Sequence, residues 1–347
     1  LLQAQGYGYH AGPDIAPDGE EPLRTSWEDA LLESVLREAV ARLNPEVPEA
    51  AREDAVRQVM GVSSPELTSA NEAFHRLLTE GVPVSFRKDG EERGERVRLV
   101  DFDTPEANDF RAVNQLALTE NGVTKRPDVV LFVNGLPLVV VELKNAADEK
   151  ATPAAAFRQL QTYKATIPGL LRYNGLLVIS DGLEARAGSL TADYERFMAW
   201  KSEDGTREAA KGKSQLEVLT RGLLNKKTLI DMIRFFTVFE KTKKEDESGQ
   251  VCVRTSKKIA AYHQYYAVNK AIASTLRATR EEGPERGKCG VVWHTQGSGK
   301  SLSMVFYTGK IVVTLNNPTV VVLTDRNDLD DQLFETFAAA AQLLRQE

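Results

Sequence analysis

Apolar residues recur at helical spacing over residues 27–43, and the run stops at Asn44-Pro45, where proline disfavours helix in the residue before it. The pattern then changes to short alternating or continuous apolar runs. Residues 83–87 and 96–102 flank a charged turn containing Asp89-Gly90, and residues 128–133 and 138–143 flank Asn134-Gly135. Such dipeptides supply the positive φ that two-residue hairpin turns need, so both pairs predict hairpins. Thr152-Pro153 offers an N-cap and a first-turn proline for a helix reaching about Thr166, and residues 176–180 read as a short buried strand. Mixed α/β follows for this part. Later the pattern predicts a helix over 256–279, a strand over 290–293, a glycine-rich turn, a helix from Lys300 and a strand over 319–323. That alternation predicts a parallel, doubly wound sheet.

Between the two patterns lies a polar stretch, residues 241–249 (KTKKEDESG), with the composition of a linker. The expected domains are therefore 1–240 and 256–347, with a linker over 241–255. A chain of 347 residues is past the size at which one core usually splits, which agrees with two domains. The longest apolar runs, 129–133 and 136–141, fall far short of the roughly 20 residues of a spanning helix, so a membrane protein is not expected. No secretory leader opens the sequence, its first residue is Leu1, and its two cysteines, Cys252 and Cys289, are too few for a disulfide framework or a four-thiolate zinc site. A reducing cytoplasm is expected, with the start of the chain missing.

Net charge is −6, but its distribution matters more than its sum. Residues 1–120 hold 24 acids against 12 bases, net −12, which leaves +6 on residues 121–347. Arg207, Lys211, Lys213, Arg221, Lys226 and Lys227 cluster among only Glu208 and Glu217. They form a candidate phosphate-contacting patch or, equally, a solvated face without a partner.

Two constellations carry chemistry. Asp128 opens one strand of the Asn134-Gly135 hairpin, and Glu142-Leu143-Lys144 ends the other, with 13 residues between the acids. Period-2 geometry places Glu142 and Lys144 on one face and Leu143, buried, on the other. Charges on an apolar hairpin are costly unless paired or bound to metal. Two carboxylates suit Mg²⁺, which can activate water and polarise a phosphodiester while the ammonium orients the nucleophile or offsets charge. On the following helix Gln159 and Tyr163 stand at i and i+4, on a face expected to overlook the hairpin while staying exposed. In the second constellation, His294-Thr295-Gln296-Gly297-Ser298-Gly299-Lys300-Ser301 follows an expected strand and opens a helix. Backbone amides around Gly297 and Gly299 could cradle phosphate, Lys300 reach the terminal phosphates and Ser301 ligate Mg²⁺. His294 replaces the first glycine of the strict GxxxxGK[ST] pattern; without a second histidine at ligand spacing, it reads as a loop support.

Pro127-Asp128 and Glu142-Leu143-Lys144 resemble the PD-(D/E)xK nuclease superfamily, and Gln159 with Tyr163 resembles the QxxxY motif of its RecB-type branch. That resemblance implies catalytic roles for Asp128, Glu142, Lys144, Gln159 and Tyr163, with Asp128 and Glu142 as metal ligands. Residues 294–301 resemble motif I of superfamily 2 helicases. Tyr262-His263-Gln264-Tyr265 resembles their Q motif, which makes Gln264 the adenine-recognising amide, and Thr324-Asp325-Arg326-Asn327-Asp328-Leu329 resembles motif Ia, with Thr324 and Arg326 as candidate phosphate contacts or, equally for Arg326, a surface salt bridge. ATP would then be held by Gln264, Thr295, Gly297, Ser298, Gly299, Lys300 and Ser301.

A nuclease placed directly before such a motor resembles the restriction (R, HsdR) subunit of type I restriction-modification enzymes. Asn108-Asp109-Phe110, Lys125-Arg126-Pro127-Asp128, residues 138–145, His263-Gln264-Tyr265 and residues 293–301 carry the likeness. It implies a mixed nuclease sheet flanked by helices, followed by an incomplete RecA-like parallel α/β lobe ending after motif Ia. It also implies Mg²⁺- and ATP-dependent cleavage of double-stranded DNA coupled to translocation in the full-length protein, in complex with methyltransferase (M) and specificity (S) subunits. ATP turnover is not expected of these residues alone. The alternatives are a helicase-like ATPase whose front domain only binds DNA, and a P-loop kinase or transporter ATPase, which His294 disfavours.

Overall fold

A computed structural model describes residues 1–144, 152–245, 251–280, 286–324 and 327–344. The chain divides into two compact units: Leu1–Glu203 with Ala209–Ile230, and Asp204–Glu208 with Asp231–Glu347.

The first unit begins with strand β1 (Gly8–Ala11), then helices α1 (Glu33–Leu43), α2 (Glu49–Met60) and α3 (Leu67–Glu80). Strands β2 (Val82–Lys88), β3 (Glu91–Val97), β4 (Phe110–Asn114), β5 (Leu118–Glu120), β6 (Val123–Lys125), β7 (Val129–Val133) and β8 (Leu136–Leu143) follow. Helix α4 (Pro153–Thr166), the single-turn α5 (Pro168–Leu171), strands β9 (Leu176–Ser180) and β10 (Ala185–Gly188) and helix α6 (Gln215–Gly222) complete it. Six strands form one mixed sheet in the order β1-β4-β7-β8-β9-β10, parallel at β1/β4 and β8/β9 and antiparallel elsewhere. Its centre is the β7–β8 hairpin, where Val130 to Val133 and Leu138 to Val140 are almost wholly buried; an apolar run without alternation is what a strand covered on both faces requires. Helix α4 packs on β8 and β9, and its start is as the sequence predicts, with Thr152 Oγ1 accepting from the Ala155 N–H at 3.2 Å and Pro153 in the first turn.

Two expectations here need correction. Helix α1 starts at Glu33 rather than Trp27, because Asp29 Oδ2 accepts from the Thr25 and Ser26 amides and the Thr25 hydroxyl, and the Leu32 N–H donates to Gly135 O. Those bonds hold the preceding segment in a turn despite its helical periodicity. Strand β3 runs over Glu91–Val97, not 96–102: Asp89 (φ 56°) and Gly90 (φ 85°) form a two-residue turn that pairs Lys88 with Glu91 at once. Because this strand is polar and exposed, no apolar pattern announces it.

The second unit receives α7 (Lys226–Phe235), which straddles the division, then β11 (Thr237–Glu245), β12 (Val251–Ile259), α8 (Tyr262–Arg280), α9 (Lys300–Thr314), α10 (Asn327–Ala339) and α11 (Ala341–Leu344). Residues 241–245, expected as linker, belong to β11 and pair antiparallel with 251–255 of β12; residues 246–250 lie outside the described residues. The helix expected from residue 256 begins at Tyr262, since 256–259 continue the ladder of β12 opposite 237–240. The segments 290–293 and 319–323 carry no strand pairing, so the doubly wound parallel sheet is absent among the described residues. Val291 and Trp293 are each 89% exposed and Leu323 88%, whereas a parallel strand is stable only with neighbours beside it and helices over both faces. No described helix is long and apolar enough to cross a membrane.

Candidate functional site

The Asn134-Gly135 turn aligns the two strands of the site, with φ 50° and 79°. A Cβ on Gly135 would stand 2.4 Å from Leu32 O and 2.8 Å from Leu36 N, so the close approach of α1 also demands glycine. The buried Asn134 amide donates to Leu99 O and Asn108 Oδ1 and accepts from the Asp109 N–H. Asn108 in turn donates to Asp101 O and Pro105 O. Asn108 and Asp109, part of the family likeness, thus brace the turn.

Register sets Val129 opposite Val141, which brings Asp128 beside the end of β8. Asp128 Oδ2 accepts from the Leu143 N–H at 2.8 Å, and Oδ1 from Gln115 Nε2 at 2.9 Å. Glu142, only 3% exposed, accepts from Lys144 Nζ at 2.7 Å on Oε1 and from the Tyr163 hydroxyl at 3.0 Å on Oε2. The Lys144 N–H donates to Ser180 O, which ties the end of β8 to β9. Gln159 stands one turn before Tyr163 on α4, and its side chain bears on the same hydroxyl in the direction that lowers its pKa. The structure therefore brings together all five residues that the sequence singled out. Two details differ. Leu143 is half-buried and Glu142 is the buried member of the pair, and Tyr163, at 2% exposed, is a core residue rather than an exposed aromatic.

Burial raises the Glu142 carboxyl above the ordinary carboxylate range; the Lys144 hydrogen bond opposes the rise and the Asp128 charge adds to it. Burial also raises the Tyr163 hydroxyl, and Glu142 reinforces that. The hydroxyl consequently stays a proton donor. Among the described residues no three His, Cys, Asp or Glu side chains cluster as a metal site. Asp128 and Glu142 nevertheless fit a hard dication: both offer oxygen, and a cation would offset the burial and the Asp128 charge that raise Glu142. Gln115 was missed by sequence reasoning. An uncharged side chain in a loop, meeting Asp128 from 13 positions away, leaves no periodic or motif signal.

In the second unit, Gly297 and Gly299 both adopt φ 78°, and Gly299 is the N-cap of α9. Lys300 Nζ donates to His294 O and Thr295 O at 3.1 Å each, closing the loop on itself, and the Ser298 hydroxyl donates to Thr295 O. Thr295, Gly297, Ser298, Gly299, Lys300 and Ser301 thus lie together in one turn and the start of its helix. Gln264 is 5% exposed and does not stand open to a base. Its Oε1 accepts from the Ala261 N–H, capping α8, and its Nε2 donates to Gly299 O at 3.0 Å. Here it fastens α8 to the loop. His263 and His294 stack edge-on at 5.4 Å, and burial, with the charges of His263 and Lys300, lowers the His294 imidazole. Asp325, Arg326 and Asn145 lie outside the described residues. The basic cluster is partly spent, for Lys213 pairs with Glu203 and Glu217, Arg221 with Glu217, and Lys226 lies over the Phe110 ring.

The family described as type I restriction enzyme R protein N terminus matches residues 1–196, and that of the SWI2/SNF2 ATPases matches 263–347. The chain belongs to the family of type I restriction enzyme R protein N termini. It is 46% identical over 350 residues to the type I restriction enzyme HindI endonuclease subunit of Haemophilus influenzae, covering 99% of this chain and 32% of that protein. It is 34% identical over 360 residues to the putative type I restriction enzyme MjaIXP endonuclease subunit of Methanocaldococcus jannaschii, covering 97% and 33%. The chain spans about a third of the length of these two relatives.

Proposed function

We propose that the chain is the DNA-cleaving, ATP-binding part of a type I restriction endonuclease R subunit, with Asp128, Glu142 and Lys144 as its nuclease centre. The observation that carries this is the convergence of Asp128, Glu142, Lys144 and Tyr163 at the end of one hairpin, with both oxygens of each carboxylate oriented by donors. Mg²⁺ held by Asp128 and Glu142 would lower the pKa of a bound water and polarise the phosphodiester. The chain's own groups do the rest. Lys144, 2.7 Å from Glu142, brings a positive charge to the carboxylate pair, where it can orient the attacking water and offset charge gathering on phosphorus oxygens. Tyr163 holds Glu142 in place from α4, with Gln159 one turn before it bearing on the tyrosine hydroxyl.

In the second unit, residues 294–301 form a phosphate-binding P-loop, and Lys300 would exchange its loop carbonyls for nucleotide phosphates. Ser301 would supply an Mg²⁺ ligand there. The apolar segments 290–293 and 319–323 become strands of a RecA-like motor sheet when their neighbours are present. In the whole protein ATP-driven translocation of double-stranded DNA feeds the nuclease, in the cytoplasm and together with methyltransferase and specificity subunits, which choose the site. The reading as a DNA-binding module without nuclease activity is disfavoured by the intact Asp128, Glu142 and Lys144. The experiment is plasmid cleavage by the assembled enzyme with ATP and Mg²⁺, beside Lys144→Ala and Lys300→Ala. Lys144→Ala should stop cutting and keep ATP hydrolysis, and Lys300→Ala should stop both; cutting by Lys144→Ala at the parent rate rejects the assignment.

A further inference from the structure

Gln115 follows β4 with φ 57°, in the left-handed region that disfavours side chains and that glycine usually fills. The backbone around it is held without help from its side chain. The Gln115 N–H donates to Asp128 O at 2.9 Å, and the Gly12 N–H to Asn114 O at 2.7 Å. A Cβ on Gly12 would stand 2.2 Å from Gln115 O, so the residue that follows β1 presses directly on this turn. Arg24 Nη1 donates to Ala117 O at 2.9 Å and the Thr119 N–H to Trp27 O at 2.9 Å, securing the far side. Glycine at 115 would keep all of these bonds and relieve the backbone.

What glycine would not supply is the amide. Gln115 Nε2 donates to Asp128 Oδ1 at 2.9 Å while the Leu143 N–H takes Oδ2 at 2.8 Å. One donor on each oxygen fixes the plane of the carboxylate and leaves its remaining lone pairs for a cation. Gln115 is only half-buried, so water could have satisfied its amide, and burial alone does not explain the contact. We propose that Gln115 is a positioning residue for the nuclease centre, holding the Asp128 carboxylate in the orientation that binds the divalent metal. The inference rests on the reading of Asp128 as a metal ligand. It gives a purpose to a conformation that the fold does not otherwise need.

The test is Mn²⁺ binding to the full chain, read from the loss of the free-ion paramagnetic resonance signal, with melting temperature measured on the same samples. Gln115→Gly removes amide and backbone strain together, and Gln115→Met keeps the length without the donor. Both should weaken Mn²⁺ binding by about 10- to 100-fold, the usual loss when a partner behind a metal ligand is removed, while Gln115→Gly melts no lower than the parent. Asp128→Ala should abolish binding at this site. If Asp128→Ala abolishes binding but Gln115→Gly and Gln115→Met bind as the parent does, the positioning role is overturned and the metal site stands. A large fall in melting temperature for Gln115→Gly would also overturn it, making the residue structural. If Asp128→Ala binds Mn²⁺ as the parent does, the metal-site reading itself fails.

Discussion

The Tyr163 hydroxyl donates to Oε2 of Glu142 across 3.0 Å, from a helix that begins ten residues after the hairpin ends. Both side chains are almost wholly buried, so the tyrosine is at once part of the core and a fixed donor to a candidate metal ligand. Removing the whole ring would mix the two roles, since truncating a buried aromatic costs about 3–5 kcal/mol in packing alone. Tyr163→Phe separates them. We expect a loss of about 1–3 kcal/mol in stability, the cost of leaving a buried acceptor short of a donor, together with slower DNA cleavage. Chemical denaturation and a cleavage time course check the pair; unchanged cleavage with the stability loss would confine Tyr163 to the core.

Glu142 gives a pH dependence of defined sign. Its folded carboxyl is raised above the unfolded value by burial, so between the two values the folded state holds more protons. Its contribution to stability is therefore greatest at low pH and falls as pH rises from the ordinary value of 4.5 through the raised one. Glu142→Gln, which cannot ionise, should gain on the parent in melting temperature across that window in EDTA. Mg²⁺ should close the gap by stabilising only the parent. A difference that does not vary with pH, or that Mg²⁺ leaves alone, contradicts this.

How much of this centre the sequence announces depends on the kind of contact. The hairpin and α4 are legible because Asn134-Gly135 and Thr152-Pro153 are local signals whose geometry follows from residue type, and they carry Asp128, Glu142, Lys144, Gln159 and Tyr163 with them. The burial of Tyr163 is not legible, since the helix periodicity does not say which face meets β8. Gln115 reaches Asp128 through a left-handed turn that no propensity favours for glutamine. Strand β3 and residues 241–245 are polar, and their strand form comes from ladder partners rather than from an apolar face. Conversely, 290–293 and 319–323 have the apolar composition of buried strands but pair with nothing among the described residues, because composition does not supply neighbours.

Gly135 tests the frame on which the centre is built. Gly135→Ala would place a methyl 2.4 Å from Leu32 O at φ 79°, against backbone that cannot rotate away. Left-handed strain and the clash together should cost at least about 2 kcal/mol. Equilibrium denaturation measures it, and a loss below a few tenths of that figure would mean that α1 can shift from the turn.

Lys300 now serves the loop's own carbonyls of His294 and Thr295. Lys300→Ala should weaken ATP binding at least tenfold, because a charge-assisted contact worth about 1.5–3 kcal/mol is lost. Titration with a fluorescent ATP analogue checks this. Equal affinity in the variant would place the nucleotide elsewhere.

The proposed hydrolytic centre at Asp128 and its neighbours belongs to one unit and the nucleotide loop to the other. That assignment is tested most directly by following DNA cleavage and ATP-driven translocation in one sample of the assembled enzyme carrying Asp128→Ala. Translocation at the parent rate with no double-strand cleavage is the expected result. Cleavage at the parent rate would contradict the account, and so would loss of translocation together with cleavage in a variant that folds as the parent does.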